Sequence, residues 1–483
     1  MIIPRLWGQR LMGFVIRKLR RYYKVIILIF DLVLIVISYI IAFLIKFNGE
    51  LPEFNFKPFI NAVPYILVAS VIYLDMFKVL SFYRKSVFDI LKSSGSVGTL
   101  LGITTIAITY MLQGFSFPRS VLLMAPFIQF VLLSLFNLAL LRLRRRFLGK
   151  KKIMIVCDDL VTSQVLIDKI HSFLKMDKIE KEWVLDITQK KIIFRRLNEM
   201  DEIFMSADIP AELKAEIIKR CMGGKQVIYV VPHLVEISLI NAKLMQLEDT
   251  PSLMIPTLGL TTEQAFVKRL FDIIVSFLGL VIVSPLLVIV AILIKLTSKG
   301  PVLYKQERST KNNKSFMLLK FRTMKVNAEE DTGPVLSTEN DPRVTPIGRF
   351  LRKTRIDELP QLINVLKGEM SLVGPRPERP FFVSQFIHDM PEYSYRFAVK
   401  SGITGFAQIF GNYSTSPEDK LRYDLMYIRN YSLLLDIKLI LQTIRVLFTP
   451  GSSCKGVNSI INAMEEIAAT DAGPAKHGNK LSV

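Results

Sequence analysis

The 483-residue chain is poor in the residues that build disulfide frameworks and metal centres, with only three cysteines and four histidines. The cysteines, Cys157, Cys221 and Cys454, are odd in number and widely spaced, which argues against a disulfide framework or a zinc site. Acidic residues are also scarce: 42 stand against 63 lysines and arginines, for a formal net charge of +21. This balance indicates an acidic partner, which is nucleic acid, anionic lipid or a phosphorylated substrate.

Hydrophobic residues, by contrast, make up 51% of the chain, more than is usual for a soluble globular protein. Four apolar runs precede residue 150, and each is close to the ~20 residues that a membrane-spanning helix needs. The runs are Val25–Ile45, Phe59–Phe77, Val97–Leu112 and Val121–Leu141. They predict a four-helix transmembrane bundle over residues 1–149, without a cleavable signal peptide.

The flanks of these runs predict the orientation of the bundle. Eighteen lysines and arginines lie on one side of the membrane, while the opposite connections hold only Lys46, Lys57 and Arg119. Positive flanks stay in the cytoplasm, so the N-terminus and residue 151 are predicted to be cytoplasmic. Because much of the charge serves this topology, nucleic acid is not an expected partner.

Residues 150–255 alternate strand-like and helix-like segments, which predicts a small Rossmann-like (CoA-binding-like) α/β domain. The turn after its first strand reads Asp158-Asp159-Leu160-Val161 and lacks the glycines that let a dinucleotide pyrophosphate approach the backbone. NAD binding is therefore not expected, and a regulatory or oligomerising role is favoured, with a homo-oligomer left open.

A fifth apolar run, Ile273–Ile294, has basic residues on both flanks, so both of its ends are predicted to be cytoplasmic. Ser284 and Pro285 lie in its middle. Proline removes a backbone donor, and the serine hydroxyl can satisfy a freed carbonyl. The segment 268–297 is therefore predicted to be a re-entrant membrane helix broken at this pair, with a kinked spanning helix as the alternative.

The densest constellation of charged residues lies between Gly348 and Pro380. Asp357 and Glu358 stand at the start of an apparent helix, where acidic residues alone would commonly compensate the helix dipole. Cations surround this pair: Lys320 and Arg322 on a probable strand, Arg352 just before it, and Arg376 after it. Pro375 and Pro377 restrict the backbone that carries Arg376. Such a set predicts a site for a diphosphate and its metal, because cations neutralise phosphate oxygens and carboxylates hold Mg²⁺.

These motifs occur in a characteristic order. They are K-R-L-F-D at Lys268–Asp272, the Ser284-Pro285 pair, G-P-V-L-Y-K-Q-E-R at Gly300–Arg308, L-K-F-R-T-M at Leu319–Met324, D-P-R-V-T at Asp341–Thr345, R-I-D-E-L-P-Q at Arg355–Gln361 and G-P-R-P at Gly374–Pro377. On them the chain resembles the polyprenyl-phosphate hexose-1-phosphate transferases, the monotopic phosphoglycosyl transferases with a bacterial sugar transferase domain. The resemblance places an α/β catalytic domain, anchored by the re-entrant helix, at 263–450. The helices and α/β unit before it resemble the large subclass of this family.

The resemblance implies a function and a set of roles. Asp357 would attack the sugar-linked phosphate of a UDP-sugar, expel UMP and form an aspartyl-phosphosugar intermediate, which undecaprenyl phosphate then attacks. Glu358 would hold Mg²⁺ or Mn²⁺, and Lys320, Arg352 and Arg376 would bind phosphate. Glucose or galactose is the expected sugar, with an N-acetylated sugar next, in exopolysaccharide, capsule or O-antigen synthesis.

Two points stay open at the level of sequence, and the C-terminal tail adds one further prediction. Glu307 stands before Arg308 where many relatives carry a small or apolar residue, which leaves the role of Arg308 uncertain. A polysaccharide-export or transporter component with a non-catalytic cytoplasmic domain is the alternative function. Residues 468–483 have no periodicity and are predicted to be disordered.

Overall fold

The computed structural model describes residues 23–77, 79, 87–112, 116–147, 150–174, 178–325, 341–411 and 415–447. Its contacts form two compact units, residues 1–231 and residues 232–483. The predicted tail at 468–483 and Cys454 lie outside the described residues.

The first unit begins with four long apolar helices, each covering one of the four predicted runs. Each of them is long and apolar enough to cross a membrane. The chain is accordingly a membrane protein, as the apolar runs predicted. The helices are α1 (Tyr23–Lys46), α2 (Glu53–Met76), α3 (Val87–Met111) and α4 (Arg119–Phe147).

Polar side chains between these helices pair with one another. The Asn137 side chain on α4 donates to Asp31 Oδ1 on α1 at 3.2 Å, and both residues are fully or almost fully buried. The hydroxyls of Tyr39 on α1 and Thr105 on α3 lie 2.7 Å apart. A buried polar group without a partner is costly in an apolar surrounding, so these pairs favour one packing arrangement of the helices.

An α/β domain with a parallel four-stranded sheet follows, as predicted. Its strand order is β2-β1-β3-β4, and every neighbouring pair is parallel. The Asp159 carboxylate after β1 accepts from the backbone N–H groups of Val161 and Thr162 at 3.2 and 2.9 Å. The elements are β1 (Lys151–Cys157), α5 (Gln164–Leu174), β2 (Ile179–Asp186), α6 (Lys190–Arg196), β3 (Glu202–Met205), α7 (Ala211–Cys221) and β4 (Val227–Val230).

The second unit begins at residue 232, earlier than the sequence suggested. Residues 232–255, assigned above to the α/β domain, form α8 (Leu234–Ser238) and a hairpin of β5 (Lys243–Leu247) and β6 (Thr250–Met254). Ile237 of α8 is buried in the core of the second unit. This helix is too short to show its packing partner in the sequence, which explains the different boundary.

The fifth apolar run forms one helix, α9 (Thr262–Thr297), which the structure assigns without interruption across Ser284 and Pro285. Pro285 has no N–H for the Val281 carbonyl, and the Ser284 hydroxyl donates to that carbonyl at 2.8 Å instead. The predicted serine compensation is therefore present, whereas an end of the helix at this pair is not.

Both halves of α9 contact other elements of the second unit. Before the proline, Arg269 donates to the carbonyls of Val365 and Leu366, and Asp272 accepts from Leu372 N at 3.1 Å. After the proline, Val290 and Ile294 pack in a buried cluster with Phe321 and Leu351. Residues near the middle of α9, such as Val281 and Ile282, are exposed.

The rest of the second unit is a small α/β assembly around one apolar core, which includes Val365, Met370, Val373 and Leu421. β7 and β8 form an antiparallel pair, and β9 and β10 a short parallel pair. The elements are β7 (Leu303–Ser309), β8 (Ser315–Phe321), α10 (Pro346–Thr354), α11 (Gln361–Lys367), β9 (Ser371–Val373), α12 (Pro380–Asp389), β10 (Gly402–Thr404), α13 (Phe406–Phe410), α14 (Pro417–Arg429) and α15 (Leu433–Leu447).

Candidate active site

The two predicted carboxylates lie in a short 3-10 turn, Ile356–Glu358, between α10 and α11. Arg355 ends α10 in the left-handed region, with φ at 55°, a conformation that costs a non-glycine residue about 1–2 kcal/mol. This turn points the chain away from α10 before α11 begins at Gln361. The dyad therefore precedes the α-helix whose start the sequence predicted it to occupy.

Glu358 is the most strongly paired carboxylate of the site. Its Oε1 accepts from Lys320 Nζ at 3.3 Å and from Arg376 Nη2 at 3.1 Å, and Arg355 lies 4.0 Å from Oε2. Burial alone would raise the pKa of Glu358, but these three cations hold it below its usual value. Glu358 is therefore ionised at neutral pH.

Asp357 occupies a different environment although it is adjacent in the chain. Its side chain is 8% exposed, and no group in the described ranges donates a hydrogen bond to its carboxylate. Burial, reinforced by the charge of Glu358, raises the pKa of Asp357 to about 6, against the opposing effect of Lys320, Arg352 and Arg376. A carboxylate without donors keeps its lone pairs available for an incoming phosphorus atom or a cation.

The predicted cations divide into two groups. Lys320 on β8 and Arg376 after β9 converge on Glu358. Arg352 lies within electrostatic range of Asp357, and its Nε donates to the Thr323 hydroxyl at 2.9 Å. These three residues form one cationic site with the dyad.

Arg322 is directed elsewhere, although it was predicted to bind phosphate. Its Nη2 donates to the carbonyl of Ser298 at 2.9 Å and to the Ser298 hydroxyl at 2.6 Å. It is 7% exposed, at the C-terminal end of α9, where a cation interacts favourably with the helix dipole. Lys320 lies within β8, whereas Arg322 lies just past the end of this strand, where its guanidinium reaches the end of α9.

The turn that carries Arg376 is held tightly against β10. A Cβ atom on Gly374 would lie 2.4 Å from the Lys400 carbonyl oxygen, so only glycine permits this approach. Pro375 accepts from Gly402 N at 2.8 Å, and Gly374 N donates to the Thr404 carbonyl at 2.8 Å. Arg376 is thereby aimed at Glu358 by its backbone.

Sequence reasoning missed two buried residues beneath this turn and left a third open. Arg396 donates to the Arg376 carbonyl and is paired with Asp424, and nothing in their sequence context signals this role. Arg308 donates to the Pro377 carbonyl at 3.0 Å. Glu307 is exposed on the other face of β7, so the unusual residue at that position does not disturb Arg308.

The carboxylates fit a divalent cation that takes most of its ligands from a substrate. Among the described residues, no group of three or more His, Cys, Asp and Glu side chains could hold a metal ion. Mg²⁺ characteristically binds one or two carboxylates together with phosphate oxygens and water. Asp357 and Glu358 supply oxygen donors of that kind beside the cations that the sequence predicted to bind phosphate.

Comparison with known proteins identifies the second unit. The profile of the family described as "Bacterial sugar transferase" matches residues 263–450. A UDP-N-acetylgalactosamine-undecaprenyl-phosphate N-acetylgalactosaminephosphotransferase of Aeromonas hydrophila is 46% identical over 188 residues, which are 38% of this chain and 44% of that protein. A UDP-glucose:undecaprenyl-phosphate glucose-1-phosphate transferase of Klebsiella pneumoniae is 40% identical over 255 residues, 52% of this chain and 55% of that protein.

The chain thus spans about half the length of these two relatives. A shorter relative, the exopolysaccharide production protein PSS of Rhizobium leguminosarum bv. phaseoli, is 41% identical over 194 residues. That match covers 38% of this chain and 96% of the relative. Since almost the whole of a shorter protein aligns with the domain that holds the dyad, the chain belongs to the bacterial sugar transferase family.

Proposed function

We propose that the chain transfers a hexose-1-phosphate from a UDP-sugar to undecaprenyl phosphate, releasing UMP and initiating polysaccharide synthesis. The observation that carries the proposal is the asymmetric dyad. Glu358 is ionised and paired with Lys320 and Arg376, while Asp357 is buried beside them without a hydrogen-bond donor among the described residues. One carboxylate is thus free to attack, and the surrounding cations can receive phosphate oxygens.

In the first step an oxygen of Asp357 attacks the sugar-linked phosphorus. The bond from that phosphorus to the bridging oxygen breaks, and UMP leaves with the electron pair. In the second step an oxygen of undecaprenyl phosphate attacks the same phosphorus, and the Asp357 carboxylate leaves unchanged. Lys320, Arg352 and Arg376 offset the repulsion between anions in both steps.

A divalent cation, Mg²⁺ or Mn²⁺, would be held by Glu358 with Asp357 nearby, and when bound it neutralises charge on the diphosphate. Glu358 already accepts hydrogen bonds from Lys320 and Arg376. In this proposal it would contribute to the metal site and keep these two contacts.

The proposal includes a location at the cytoplasmic face of a bacterial inner membrane. α1–α4 would span as a bundle, and α9 would enter the membrane and return on the same side. Two observations support the re-entrant path: both halves of α9 contact the same compact unit, and its middle is exposed and apolar. Proline at the centre of α9 weakens the helix where a bend is required.

The sugar is proposed to be a hexose carried by UDP. Glucose stands in the names of several relatives, and N-acetylgalactosamine in that of the Aeromonas protein. Glucose or galactose is therefore tested first and the N-acetylated sugars second. An export component without catalysis is the competing function, and turnover separates the two.

The experiment incubates the purified chain in detergent or nanodiscs with Mg²⁺, undecaprenyl phosphate and each of several radiolabelled UDP-sugars. We expect UMP and a sugar-diphosphate lipid to appear together for at least one sugar, and EDTA to abolish both. Asp357→Asn should abolish both as well, while Asp389→Asn, an exposed aspartate of the same unit, should retain them.

Three outcomes would contradict the proposal or its covalent step. Turnover of no UDP-sugar by a folded wild-type chain would favour the export alternative. Full activity of the Asp357→Asn variant would exclude the covalent route, as would the absence of a phosphosugar adduct by mass spectrometry when the lipid acceptor is withheld and UMP is still released.

A further inference from the structure

The backbone between Pro375 and Glu378 is unusual in that each of its four successive carbonyls accepts a hydrogen bond from outside the turn. Pro375 accepts from Gly402 N at 2.8 Å and Glu378 accepts from Ser309 N at 2.9 Å. The two central carbonyls accept from guanidinium groups: Arg376 from Arg396 at 2.8 Å and Pro377 from Arg308 at 3.0 Å.

The two prolines explain why outside donors are needed. Pro375 and Pro377 have no N–H, so the turn cannot build the local backbone ladder that would otherwise hold its carbonyls. The donors on the two central carbonyls are side chains, and their positions depend on further partners within the second unit.

Those partners are two acidic residues, Asp424, which is buried, and Glu378, which is half-buried. Arg396 is 3% exposed, and its Nη2 lies 2.8 Å from Asp424 Oδ2, in a residue that is 1% exposed. Arg396 also contacts the hydroxyl of Tyr393. Arg308 Nη1 lies 3.4 Å from Glu378 Oε2, and its Nε and Nη2 donate to Gln306.

A buried ion pair is a poor device for stability alone, because apolar residues of similar size commonly serve as well or better. The Arg396–Asp424 pair contacts the Arg376 carbonyl directly, which indicates that the pair serves to position this backbone. Arg396 donates to the backbone carbonyl of Arg376. The guanidinium at the end of the Arg376 side chain lies 3.1 Å from Glu358.

We propose that Arg396, oriented by Asp424, and Arg308, oriented by Glu378, are positioning residues that hold the Arg376–Pro377 backbone and so aim the Arg376 guanidinium at the phosphate site. This inference rests on the proposed function for the identity of the ligand, a nucleoside diphosphate. Both arginines act on the site through Arg376.

The test is a double-mutant cycle on binding of UDP with Mg²⁺, measured by calorimetry on the full chain in detergent. Arg396→Met with Asp424→Leu removes the pair together, so no buried charge is left unpaired. Arg376→Gln is introduced into this background and into the wild type. In the wild type we expect it to weaken UDP binding about 10-fold or more, as for loss of a charge-assisted hydrogen bond. In the Arg396→Met, Asp424→Leu background the same substitution should weaken UDP binding by less than about 3-fold, because Arg376 is no longer held in position at the phosphate site.

Two further variants protect the test. Lys268→Met with Asp436→Leu removes another buried ion pair of the same unit, one that does not hold the Arg376–Pro377 backbone, and should leave the effect of Arg376→Gln as large as in the wild type. If the Arg396→Met, Asp424→Leu protein fails to fold, Arg396→Lys keeps the charge opposite Asp424 but lacks the planar fork that reaches the second partner. In the Arg396→Lys background, Arg376→Gln should likewise weaken UDP binding by less than about 3-fold.

An equal effect of Arg376→Gln in the wild type and in a folded altered protein would overturn the positioning role, and so would no effect of Arg376→Gln in the wild type. UDP binding does not require turnover, so this failure is separate from failure of the proposed function. The latter would show as absence of UMP release by a wild-type chain, whatever the cycle gives.

Discussion

At the scale of single residues, the candidate site separates two carboxylates that are chemically similar and adjacent in the chain. Three cations stabilise the charge of Glu358, whereas burial disfavours the charge of Asp357. Neighbouring titratable groups with pKa values pushed apart are typical of sites where one group reacts and the other supports it. This difference leads to two predictions on pH.

The first prediction concerns activity. Attack requires ionised Asp357, so UMP release should rise with pH through an inflection near the pKa of this residue, about 6. Arg352→Gln removes a cation that favours the ionised form and should move the inflection upward. The measurement is kcat/KM for UMP release between about pH 5 and pH 8, because this quantity reports groups of the free enzyme. An inflection that stays in place in the Arg352→Gln variant would contradict the assignment.

The second prediction concerns stability. The pKa of Asp357 is higher in the fold than in the unfolded chain, where it is near the ordinary 3.8. Between these values the folded state binds more protons, so its stability falls as pH rises from about 4 to about 6. Asp357→Asn removes this cost and should stabilise the protein at about pH 7.5 by up to about 3 kcal/mol, following about 1.36 kcal/mol per pKa unit.

Thermal unfolding of both proteins in detergent at about pH 4 and about pH 7.5 checks this expectation. The gain of the Asp357→Asn variant should shrink towards zero at the lower pH, where Asp357 of the folded wild type is protonated. A gain that is equal at both pH values would show that its cause is not titration of Asp357.

At the scale of elements, the site depends on short connections more than on long helices. The dyad lies in a three-residue turn, and Arg376 lies in a turn pressed against β10. α9 supports α11 and β9 through hydrogen bonds from Arg269 to the Val365 carbonyl and from Leu372 N to Asp272. Changes in these connections should therefore affect the site strongly.

Gly374→Ala tests the close approach of the turn to β10. Its Cβ would meet the Lys400 backbone oxygen at 2.4 Å, so the turn must move and Arg376 with it. We expect a loss of about 1–3 kcal/mol in the free energy of unfolding and a strong loss of UMP release. Gly223→Ala, where the added atom meets nothing within 4 Å, is the matched control and should change neither.

The path of α9 can be tested by labelling single cysteines in intact cells. Asn312→Cys lies in an exposed turn after α9, and Asn48→Cys lies between α1 and α2. If α9 returns to the cytoplasm, an impermeant maleimide should label position 48 in intact cells and position 312 only after permeabilisation. Labelling of both positions in intact cells would establish a spanning α9 and place the dyad outside.

At the scale of the whole molecule, the chemistry and the membrane helices α1–α4 belong to different compact units. The Rhizobium relative, 96% of which aligns within 38% of this chain, lacks an aligned counterpart of the first unit. We therefore expect a shortened chain beginning at residue 232 to insert through α9 and to release UMP at a rate of the same order as the full chain.

The comparison uses equal amounts of membrane-inserted protein, with the shortened Asp357→Asn chain as the blank. A folded and inserted shortened chain without turnover would instead assign the first unit an essential part in the reaction. The basic flanks of α1–α4 would then matter for more than topology.

Much of the fold was accessible from periodicity. The four apolar runs, the parallel sheet and the fifth apolar run with its serine–proline pair were predicted because each has a local signal in length, alternation or turn chemistry. Residues 232–255 were assigned to the α/β domain, whereas the structure groups them with the second unit. A five-residue helix and a two-stranded hairpin carry no sequence signal for the core that they join. A break was expected in α9 at Ser284 and Pro285, but the helix continues through this pair. The Ser284 hydroxyl donates to the Val281 carbonyl, which the proline leaves without a backbone donor.

The sequence by itself determined the membrane helices, the dyad and its cationic company, since charge, hydrophobic length and motif order are local properties. Only the tertiary structure decided that Arg322 donates to Ser298 and that Glu358 accepts from Lys320 and Arg376. It also decided that Arg396, paired with Asp424, donates to the Arg376 carbonyl. The two contacts of Glu358 join residues 38 and 18 positions apart in the chain, and their partners are selected by packing and burial. No local pattern encodes which of several nearby cations a buried carboxylate will meet, because that depends on where the core places each backbone.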